Sequence, residues 1–375
     1  MELSRFYLIG GCAIFFAMDL SDYTFTPDLA RAATIPARWY TDPAFLEAER
    51  REIFGRTWQY VGRTDSLSAP GSYLACDVAG EPILAARSRD GKLYAFSNVC
   101  RHRGALLAEG TGQAQVIRCP YHAWGYSLEG RLLATPEFEG VENWDRSQVC
   151  LPQFRVETWG PFVFVNQDPQ APPLLDVLAA IPSEIERFGC PFDQMRFSYR
   201  RDYIVNCNWK VYIDNYLEGY HLPAAHPGLM RELDYSQYRV ETFRYHSSHI
   251  APIKCADGSE ARRYEFTDNS RNALYYWIFP NFMLNIYPDN LSSNLILPLD
   301  AGRTLTIFEW FAYTGEVAQA TINFSDEIQQ EDIKVCESAQ KGLASRHYNQ
   351  GRFSVKRENG VHHFHGLLHE YLSAG

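Results

Sequence analysis

The chain alternates between two patterns of hydrophobic and polar positions. Residues 43–54 place apolar side chains at helical spacing among charged ones, which predicts an amphipathic helix. Residues 58–166 consist of short apolar segments separated by Gly, Asp and Pro, which is typical of a small antiparallel β domain. The Pro-rich stretch 168–174 then predicts a linker to the rest of the chain.

Helical and strand patterns are mixed after this linker. One helix is predicted over residues 206–220 and a longer one over 325–343. In the longer helix Ser325 is the expected N-cap, and Asp326 and Glu327 lie in the first turn, where the helix dipole favours negative charge. Three further segments predict strands of one antiparallel sheet: 275–287, 294–298 and 304–313. These elements predict the α+β class, with a small all-β domain set into or before a larger domain of sheet and helices.

Length, charge and cysteine usage narrow the class of protein. A chain of 375 residues is longer than one hydrophobic core usually supports, so two domains are expected. The formal net charge is −10 with Lys and Arg scattered, which argues against nucleic acid or a membrane as partner. The nine cysteines are dispersed and odd in number, so we expect free thiols in a reducing compartment, the cytoplasm. The apolar run 6–17 is too short to span a bilayer, and we expect residues 1–19 to lie outside the fold, with Met18 as an alternative start.

Two short loops each carry one cysteine and one histidine. The first reads C-x-H at Cys100 and His102, and the second, after sixteen intervening residues, reads C-x₂-H at Cys119 and His122. A zinc site of two Cys and two His normally keeps its cysteines together. One Cys and one His per loop instead suit a Rieske [2Fe–2S] cluster, in which one iron takes both thiolates and the other both imidazoles. A zinc ribbon is the alternative.

A second metal site is predicted at residues 218–226, which read E-x₂-H-x₄-H. On one continuous helix His221 and His226 would lie about 140° apart, a poor angle for binding one ion. Pro223 disfavours helix at Leu222, so we expect the chain to turn there and bring His226 back beside His221. A lone histidine near a helix end is more often a capping or core residue, but two histidines with an acid and a helix break favour a metal.

Two histidines need a carboxylate to complete a facial triad, which leaves the opposite side of an iron open for O₂ and substrate. An apolar stripe runs along the predicted helix 325–343: Ile328, Val335, Ala339 and Leu343. Asp332 falls on that stripe, and a carboxylate on a buried face is costly unless it is paired or binds a metal. Glu327 and Glu331 lie off that face and are expected to be solvated. Asp332 is therefore the predicted third ligand, with a salt bridge to a buried Arg as the alternative.

The two constellations resemble those of the Rieske non-haem iron oxygenases, and the resemblance extends from about residue 35 to the end of the chain. It implies a Rieske-type antiparallel β domain at 57–167 and a helix-grip catalytic domain, an antiparallel sheet with helices, at 168–375. Residues 20–56 would be a helical part of the catalytic domain. It also implies one [2Fe–2S] cluster and one mononuclear Fe(II), held by two ligand sets: Cys100, His102, Cys119 and His122, and His221, His226 and Asp332.

The resemblance further implies roles for the residues around the iron and for partners. Glu218, with Asp214 and Asn215 before it, belongs to the catalytic group, and Glu218 is expected to bridge His221 to a cluster histidine of an adjacent chain. Family members are commonly trimers or hexamers. O₂ is the expected co-substrate, and electrons are expected from NAD(P)H through a separate flavin or iron–sulfur reductase, because the chain carries no flavin or dinucleotide motif.

Details within the family favour one branch. Glu218 stands where aromatic-ring dioxygenases usually have Asp, and the segment 214–221 is one residue shorter than their pattern; both features resemble the branch acting on carnitine and glycine betaine. The run 340–354 is similar to enzymes of the glycine betaine and choline monooxygenase type. Ala123 stands where Gly is more usual. We therefore expect hydroxylation of a C–H bond in a quaternary or tertiary ammonium compound, with aromatic-ring hydroxylation as the alternative. A Rieske electron-transfer protein would need only residues 58–167, and the complete iron triad disfavours an inactive homologue.

The aromatic strands 275–287 and 308–311 suggest how an ammonium group could be held. Aromatic faces attract quaternary nitrogen by cation–π interaction. Strand alternation predicts that some of these side chains face one side together: Tyr276, Ile278, Phe282, Leu284 and Trp310. The alternative is that they form ordinary hydrophobic core.

Overall fold

The computed structural model describes residues 18–253, 272–287 and 290–374. Most of the predicted N-terminal segment 1–19 thus lies outside the described residues, whereas Met18 and Leu20 pack against the main core. Among the described residues, no helix is long and apolar enough to cross a membrane.

The predicted β domain is built from short antiparallel strands. Their bounds are β1 Gln59–Arg63, β2 Ser72–Val78, β3 Glu81–Arg87, β4 Leu93–Ser97, β5 Thr111–Gln113, β6 Ile117–Arg118, β7 Gly125–Tyr126, β8 Leu132–Ala134, β9 Gln153–Trp159 and β10 Phe162–Asn166. Seven of them form one sheet in the order β1-β10-β9-β4-β3-β2-β5, and the other three form a small sheet, β6-β7-β8. The small sheet and the two Cys/His loops share a hydrophobic core of their own, which includes Trp124 and Tyr126.

The larger domain contains a second seven-stranded antiparallel sheet. Its strands are β11 Arg196–Val205, β12 Arg239–Thr242, β13 His246–Pro252, β14 Asn272–Ile278, β15 Phe282–Ile286, β16 Asn290–Asp300 and β17 Arg303–Ala312. Their order is β11-β17-β16-β15-β14-β13-β12. The sheet contains all three predicted strand segments, and the segment 275–287 is divided between β14 and β15.

Helices cover this sheet and precede it. Their bounds are α1 Arg38–Thr41, α2 Pro43–Glu49, α3 Leu174–Leu178, α4 Ile181–Phe188, α5 Trp209–Tyr216, α6 Leu222–Ala225, α7 Pro227–Glu232, α8 Gln319–Leu343 and α9 Asn359–Ser373. A π-helical turn, Arg50–Phe54, continues α2, so the predicted amphipathic helix is confirmed. The predicted helix 206–220 is shorter than expected, since α5 ends at Tyr216. Ser325 is not an N-cap, because α8 begins six residues earlier and the buried Ile322 extends its apolar face toward the N-terminus.

Four of the five strand residues that were predicted to hold an ammonium group form hydrophobic core instead, which was the alternative. Tyr276, Ile278, Phe282 and Leu284 pack in the core between this sheet and the β domain, with Phe162 and Phe164 among their neighbours. Their sequence neighbours face the opposite side, because a shift of one residue reverses every side chain of a strand. On that side a row of paired residues crosses five strands: His249, Tyr275, Asn285, Ser292 and Trp310.

A buried ion pair fixes the N-terminal helices to α5. Lys210 Nζ lies 2.5 Å from Glu49 Oε1, both side chains are fully buried, and Trp209 Nε1 donates to Glu49 Oε2 at 2.7 Å. Breaking such a pair by removing one partner typically costs about 3–5 kcal/mol, because the other charge is left buried and unpaired. The helix that precedes the predicted iron site is therefore held firmly at its first turn.

Candidate metal centres and substrate cavity

The two Cys/His loops have the same backbone course. Gly104 N donates to Cys100 O in the first loop and Ala123 N donates to Cys119 O in the second, each at 3.0 Å. Both residues at the tight turn have positive φ, 75° at Gly104 and 57° at Ala123. Glycine adopts this conformation without steric cost, which explains why it is the more usual residue at position 123.

The four predicted cluster ligands lie together where these loops meet. The ring centroids of His102 and His122 are 4.6 Å apart, and Cys100 and Cys119 are buried. The Nδ1 atom of each histidine is buried with no hydrogen-bond partner in the described part of the chain. An unsatisfied buried nitrogen costs about 1–3 kcal/mol unless something binds it. Two thiols and two such nitrogens fit a Rieske cluster, with thiolates on one iron and imidazoles on the other.

A tyrosine hydroxyl contacts one of the cluster thiols. Tyr126 Oη lies 3.3 Å from Cys100 Sγ, and the backbone N–H of Arg101 donates to Tyr126 Oη at 3.0 Å. Because the hydroxyl oxygen already accepts from Arg101, its own hydrogen is available to donate to the sulfur. Hydrogen bonds to the ligand sulfurs are one of the factors that set the potential of an iron–sulfur cluster.

Tyr126→Phe is therefore expected to lower the reduction potential of the cluster while leaving its visible absorption in place. The donated hydrogen bond stabilises the more negative, reduced state, and phenylalanine removes it without emptying the core. A spectroelectrochemical titration measures the shift, with Tyr94→Phe in the same core as the matched control. A potential equal to that of the wild type would show that the hydroxyl does not act on the sulfur.

The three predicted iron ligands also come together. His221, His226 and Asp332 each offer one ligand atom, and these atoms all lie within 4.8 Å of one another. His226 Nε2 is 3.0 Å and His221 Nε2 is 3.8 Å from Asp332 Oδ1. Asn215 Nδ2 donates to the same carboxylate oxygen at 2.7 Å and so orients it. Two imidazoles and one carboxylate are the donor set of a facial iron triad.

The helix break that brings the histidines together is not where the sequence placed it. The chain leaves the helical course after Tyr216, before the first histidine, and Leu222 is helical. Pro223 lies in the first turn of α6, where a proline lacks no required hydrogen bond. The predicted turn at Leu222 is therefore wrong, and His226 returns toward His221 because its own backbone, at φ −121° and ψ 71°, ends α6.

Glu218 contacts His221 as predicted, but through a turn and not along one helix face. Its Oε1 lies 2.6 Å from His221 Nδ1, and its Oε2 accepts from the backbone N–H groups of Tyr220 and His221. The carboxylate thus organises the turn that presents the first ligand. It also leaves His221 Nε2 as the nitrogen directed toward Asp332.

Glu331 is only partly solvated, and its contact with an iron-site histidine was not predicted. Its Oε2 lies 2.8 Å from Nδ1 of His226. The predicted apolar stripe is the source of the error, because Val335 is 38% exposed and the buried positions of α8 are Ile322, Gln329 and Cys336.

Asp214 has the contacts of an anchoring residue. Tyr40 Oη donates to Asp214 Oδ2 at 2.6 Å. Ile35 N donates to His365 Nδ1, so His365 Nε2 carries the hydrogen and donates to Asp214 Oδ1 at 3.1 Å. Both carboxylate oxygens are therefore used to join the end of α5 to α1 and α9.

Two cavities meet at the predicted iron site. The iron-side cavity contains the three ligands and reaches the sheet, and the outer cavity lies between α8, α9 and the N-terminal helices. Asn215 and Glu218 line both cavities and so form the wall between them, whereas Asp214 lines only the outer one.

Aromatic rings form a large part of the wall of the iron-side cavity. Eight of the described lining residues are aromatic: Tyr212, Tyr216, Tyr238, Tyr275, Tyr287, Phe308, Trp310 and Phe324. Among the described lining residues none is Lys or Arg. The remaining polar groups near the sheet are neutral, since Asn285 and Asn294 are amides and burial lowers the pKa of His249 to about 3. The sequence identified Trp310 but missed both sheet tyrosines, Tyr275 and Tyr287.

Both halves of the chain match known protein families. Residues 57–145 match the Rieske [2Fe–2S] domain, and residues 192–374 match the catalytic domain of the ring hydroxylating alpha subunit. The chain is 35% identical over 359 residues to a chloroplastic choline monooxygenase of Arabidopsis thaliana, which covers 92% of this chain and 84% of that protein. It is 34% identical over 353 residues to the carnitine monooxygenase oxygenase subunit of Escherichia coli K12, and this match covers 90% of this chain and 93% of that protein.

Solved structures share the fold. A quaternary ammonium Rieske monooxygenase, studied for carnitine oxidation and inter-subunit electron transfer, superposes with a TM-score of 0.81 at 30% identity over 92% of this chain and 96% of that one. A naphthalene 1,2-dioxygenase superposes with a TM-score of 0.72 at 19% identity over 90% and 92% of the two chains. The second likeness shows the fold alone.

Proposed function

Since the chain belongs to the family of Rieske-type ring-hydroxylating oxygenases, we propose that it hydroxylates a C–H bond of a quaternary ammonium compound. One oxygen atom of O₂ enters the substrate, and the other leaves as water with two electrons and two protons. The electrons come from NAD(P)H through a separate flavin or iron–sulfur reductase. When bound, the cluster supplies one-electron transfer and the mononuclear iron supplies O₂ activation. The seven cysteines that the structure describes form no disulfide with one another, and we propose a cytoplasmic location on that ground.

The aromatic wall of the iron-side cavity carries the substrate proposal. A quaternary nitrogen cannot donate a hydrogen bond, so aromatic faces are its main attraction, each worth about 0.5–2 kcal/mol. Tyr275 and Trp310 lie on the cavity face of the sheet, opposite the helices that carry the ligands. Glu218 adds negative charge at the other wall, whereas the charge of Asp332 would be offset by the iron that it binds. A cation is thus attracted from both sides.

The same lining favours a substrate whose far end is uncharged. A carboxylate moved from water into this cavity would find no Lys or Arg among the described lining residues, and away from the iron site its polar partners would be neutral groups such as Asn285 and Asn294. Burying an unpaired carboxylate is costly, whereas a hydroxyl loses little when amide groups receive it. We therefore favour a choline-like amino alcohol over a betaine or carnitine.

An oxygen-consumption screen with a surrogate reductase tests this function. Choline, glycine betaine, L-carnitine and benzoate are compared, and each rate is corrected for peroxide released without product. Choline is expected to give the highest coupled rate. A preference for carnitine or glycine betaine would overturn only the argument for an uncharged far end, and the proposal of an ammonium substrate would stand. Coupled oxidation of benzoate with no response to any ammonium compound would overturn the whole proposal and favour ring hydroxylation.

Glu218 is proposed as the link between the cluster of one subunit and the iron of its neighbour. It contacts an iron ligand on one side and faces the outer cavity on the other, where Asp214 and Glu358 add negative charge. The loops that carry the cluster ligands expose Arg101, Arg103 and Arg118. The acidic outer cavity and the basic cluster loops are complementary in charge, which favours a head-to-tail contact between two copies of the chain. Such contacts can close into a homotrimer or a hexamer.

Glu218→Gln is expected to keep both metal centres loaded and the cluster reducible, yet to slow electron delivery to the iron. A loss of about 10–100-fold is typical when a carboxylate partner of a metal ligand is changed. Stopped-flow mixing of reduced protein with O₂ and choline measures cluster reoxidation, and Glu327→Gln on the exposed side of α8 is the control. Wild-type rates in Glu218→Gln would remove this residue from the route, and a monomer in solution would remove the route between subunits.

A further inference from the structure

The two ring nitrogens of His226 each contact a carboxylate, and the two carboxylates belong to consecutive residues of one helix. Asp332 Oδ1 lies 3.0 Å from Nε2, and Glu331 Oε2 lies 2.8 Å from Nδ1. The His226 side chain is 1% exposed, while the Glu331 side chain is 28% exposed. The buried ring thus has a defined partner on each edge, and both partners come from α8.

We propose that Glu331 is the positioning residue of the second iron ligand, His226. An ionised carboxylate only accepts hydrogen bonds, so the contact requires that Nδ1 of His226 carries the hydrogen. The lone pair of the imidazole then lies on Nε2, which faces Asp332 and His221. Glu331 therefore selects the tautomer that can bind a metal and holds the ring at the angle that the triad requires.

The arrangement repeats the one around the first histidine. Glu218 contacts Nδ1 of His221 at 2.6 Å, so each ligand histidine has its own glutamate on the edge turned away from the metal. The two glutamates do not lie in the same surroundings. Glu218 lines both cavities, whereas Glu331 is absent from the described lining of either. Glu218 is therefore placed to act between centres, and Glu331 acts on one ligand alone.

Neighbouring positions on α8 supply a control for the helix surface. Glu327 is exposed and lies one turn before Glu331, with the same side chain and charge. A change at Glu327 removes a carboxylate from the same helix without touching His226. Effects specific to Glu331 can thus be separated from effects of helix charge.

Metal affinity in the purified protein tests the proposal without any turnover. Co(II) is titrated into the mononuclear site of the wild type, Glu331→Ala, Glu331→Gln and Glu327→Ala. Loss of such a carboxylate partner typically weakens metal binding by 10–100-fold, and we expect a change of about this size in Glu331→Ala. Glu331→Gln retains an acceptor oxygen and is expected to recover much of the affinity. Glu327→Ala is expected to bind as the wild type does.

Proton NMR supplies a readout that a general loss of stability would not produce. Co(II) shifts the ring N–H hydrogens of its histidine ligands, so two exchangeable signals should appear on Co(II) addition in the wild type and in Glu327→Ala. Glu331→Ala should lose one of the two by rapid exchange with water, while the other signal, from His221, remains and shows that the site is still folded. If Glu331→Ala and Glu331→Gln both keep wild-type affinity and both signals, the proposal is wrong. It is also wrong if Glu327→Ala weakens binding as much as Glu331→Ala.

Discussion

Asp332→Ala is expected to abolish O₂-dependent turnover and to leave the mononuclear site with little iron, while the cluster stays reducible. Asp332 Oδ1 is the point on which His226 Nε2, His221 Nε2 and Asn215 Nδ2 converge. Alanine removes the carboxylate of the triad, and two histidines alone provide too few ligands to hold the ion in place. The cluster loops pack in a different hydrophobic core from the buried residues of α8.

Iron analysis and reductive titration of the purified variant separate the two centres. The expected result is loss of the mononuclear iron with the cluster iron retained, and no product from any ammonium substrate. Glu327→Ala on the same helix should retain all the iron and the activity. Full activity in Asp332→Ala would assign the third ligand to another acid.

Cys100→Ser is the second change that is expected to abolish turnover. It should eliminate the visible absorption of the cluster, because a serine oxygen is a poor substitute for one of only two thiolates on an iron. The cluster loops pack in a core of their own, and the three predicted iron ligands lie outside it, so the catalytic domain should keep its fold and its mononuclear iron. Without the cluster no electron reaches that iron, and turnover should cease.

Absorption spectra and metal analysis check this outcome, and Cys150→Ser, an exposed cysteine in the same domain, is the control. Cys150→Ser should retain the cluster. A Cys100→Ser variant with the absorption of the wild type would contradict the ligand assignment. Zinc at these four residues, with no cluster recovered on reconstitution, would contradict it as well.

The sequence could identify the candidate ligands that the structure brings together, because the geometry within each motif is mostly local. Cys100 and His102 lie on one tight loop, and Cys119 and His122 lie on another, so residue type and spacing together define the site. The same holds for the two iron histidines, although the helix break that joins them lies before His221 and not at Leu222. Each of these motifs spans only a few residues.

Features that depend on packing between distant elements were not predictable. Neighbouring residues of β14 and β15 face opposite sides of the sheet, so an error of one residue assigns the wrong side chains to the cavity. Because this run is apolar or aromatic at nearly every position, it has no alternation with polar residues that would show which side chains face the cavity. The partner of Glu331 is a histidine that lies more than one hundred positions earlier in the chain. Val335 and Ala339 are exposed and line the outer cavity together with Leu343, so this stripe indicated the wrong buried face of α8.

A single-turnover experiment tests the central claim most directly, because it needs no reductase. The protein is reduced anaerobically, freed of excess reductant and mixed with O₂ and choline, and the product is measured by mass spectrometry while the cluster is followed by absorbance. We predict a stoichiometric amount of hydroxylated choline product, formed as the cluster is reoxidised. The claim would be contradicted if protein with both metal centres loaded hydroxylated benzoate but gave no product from choline or any other ammonium compound.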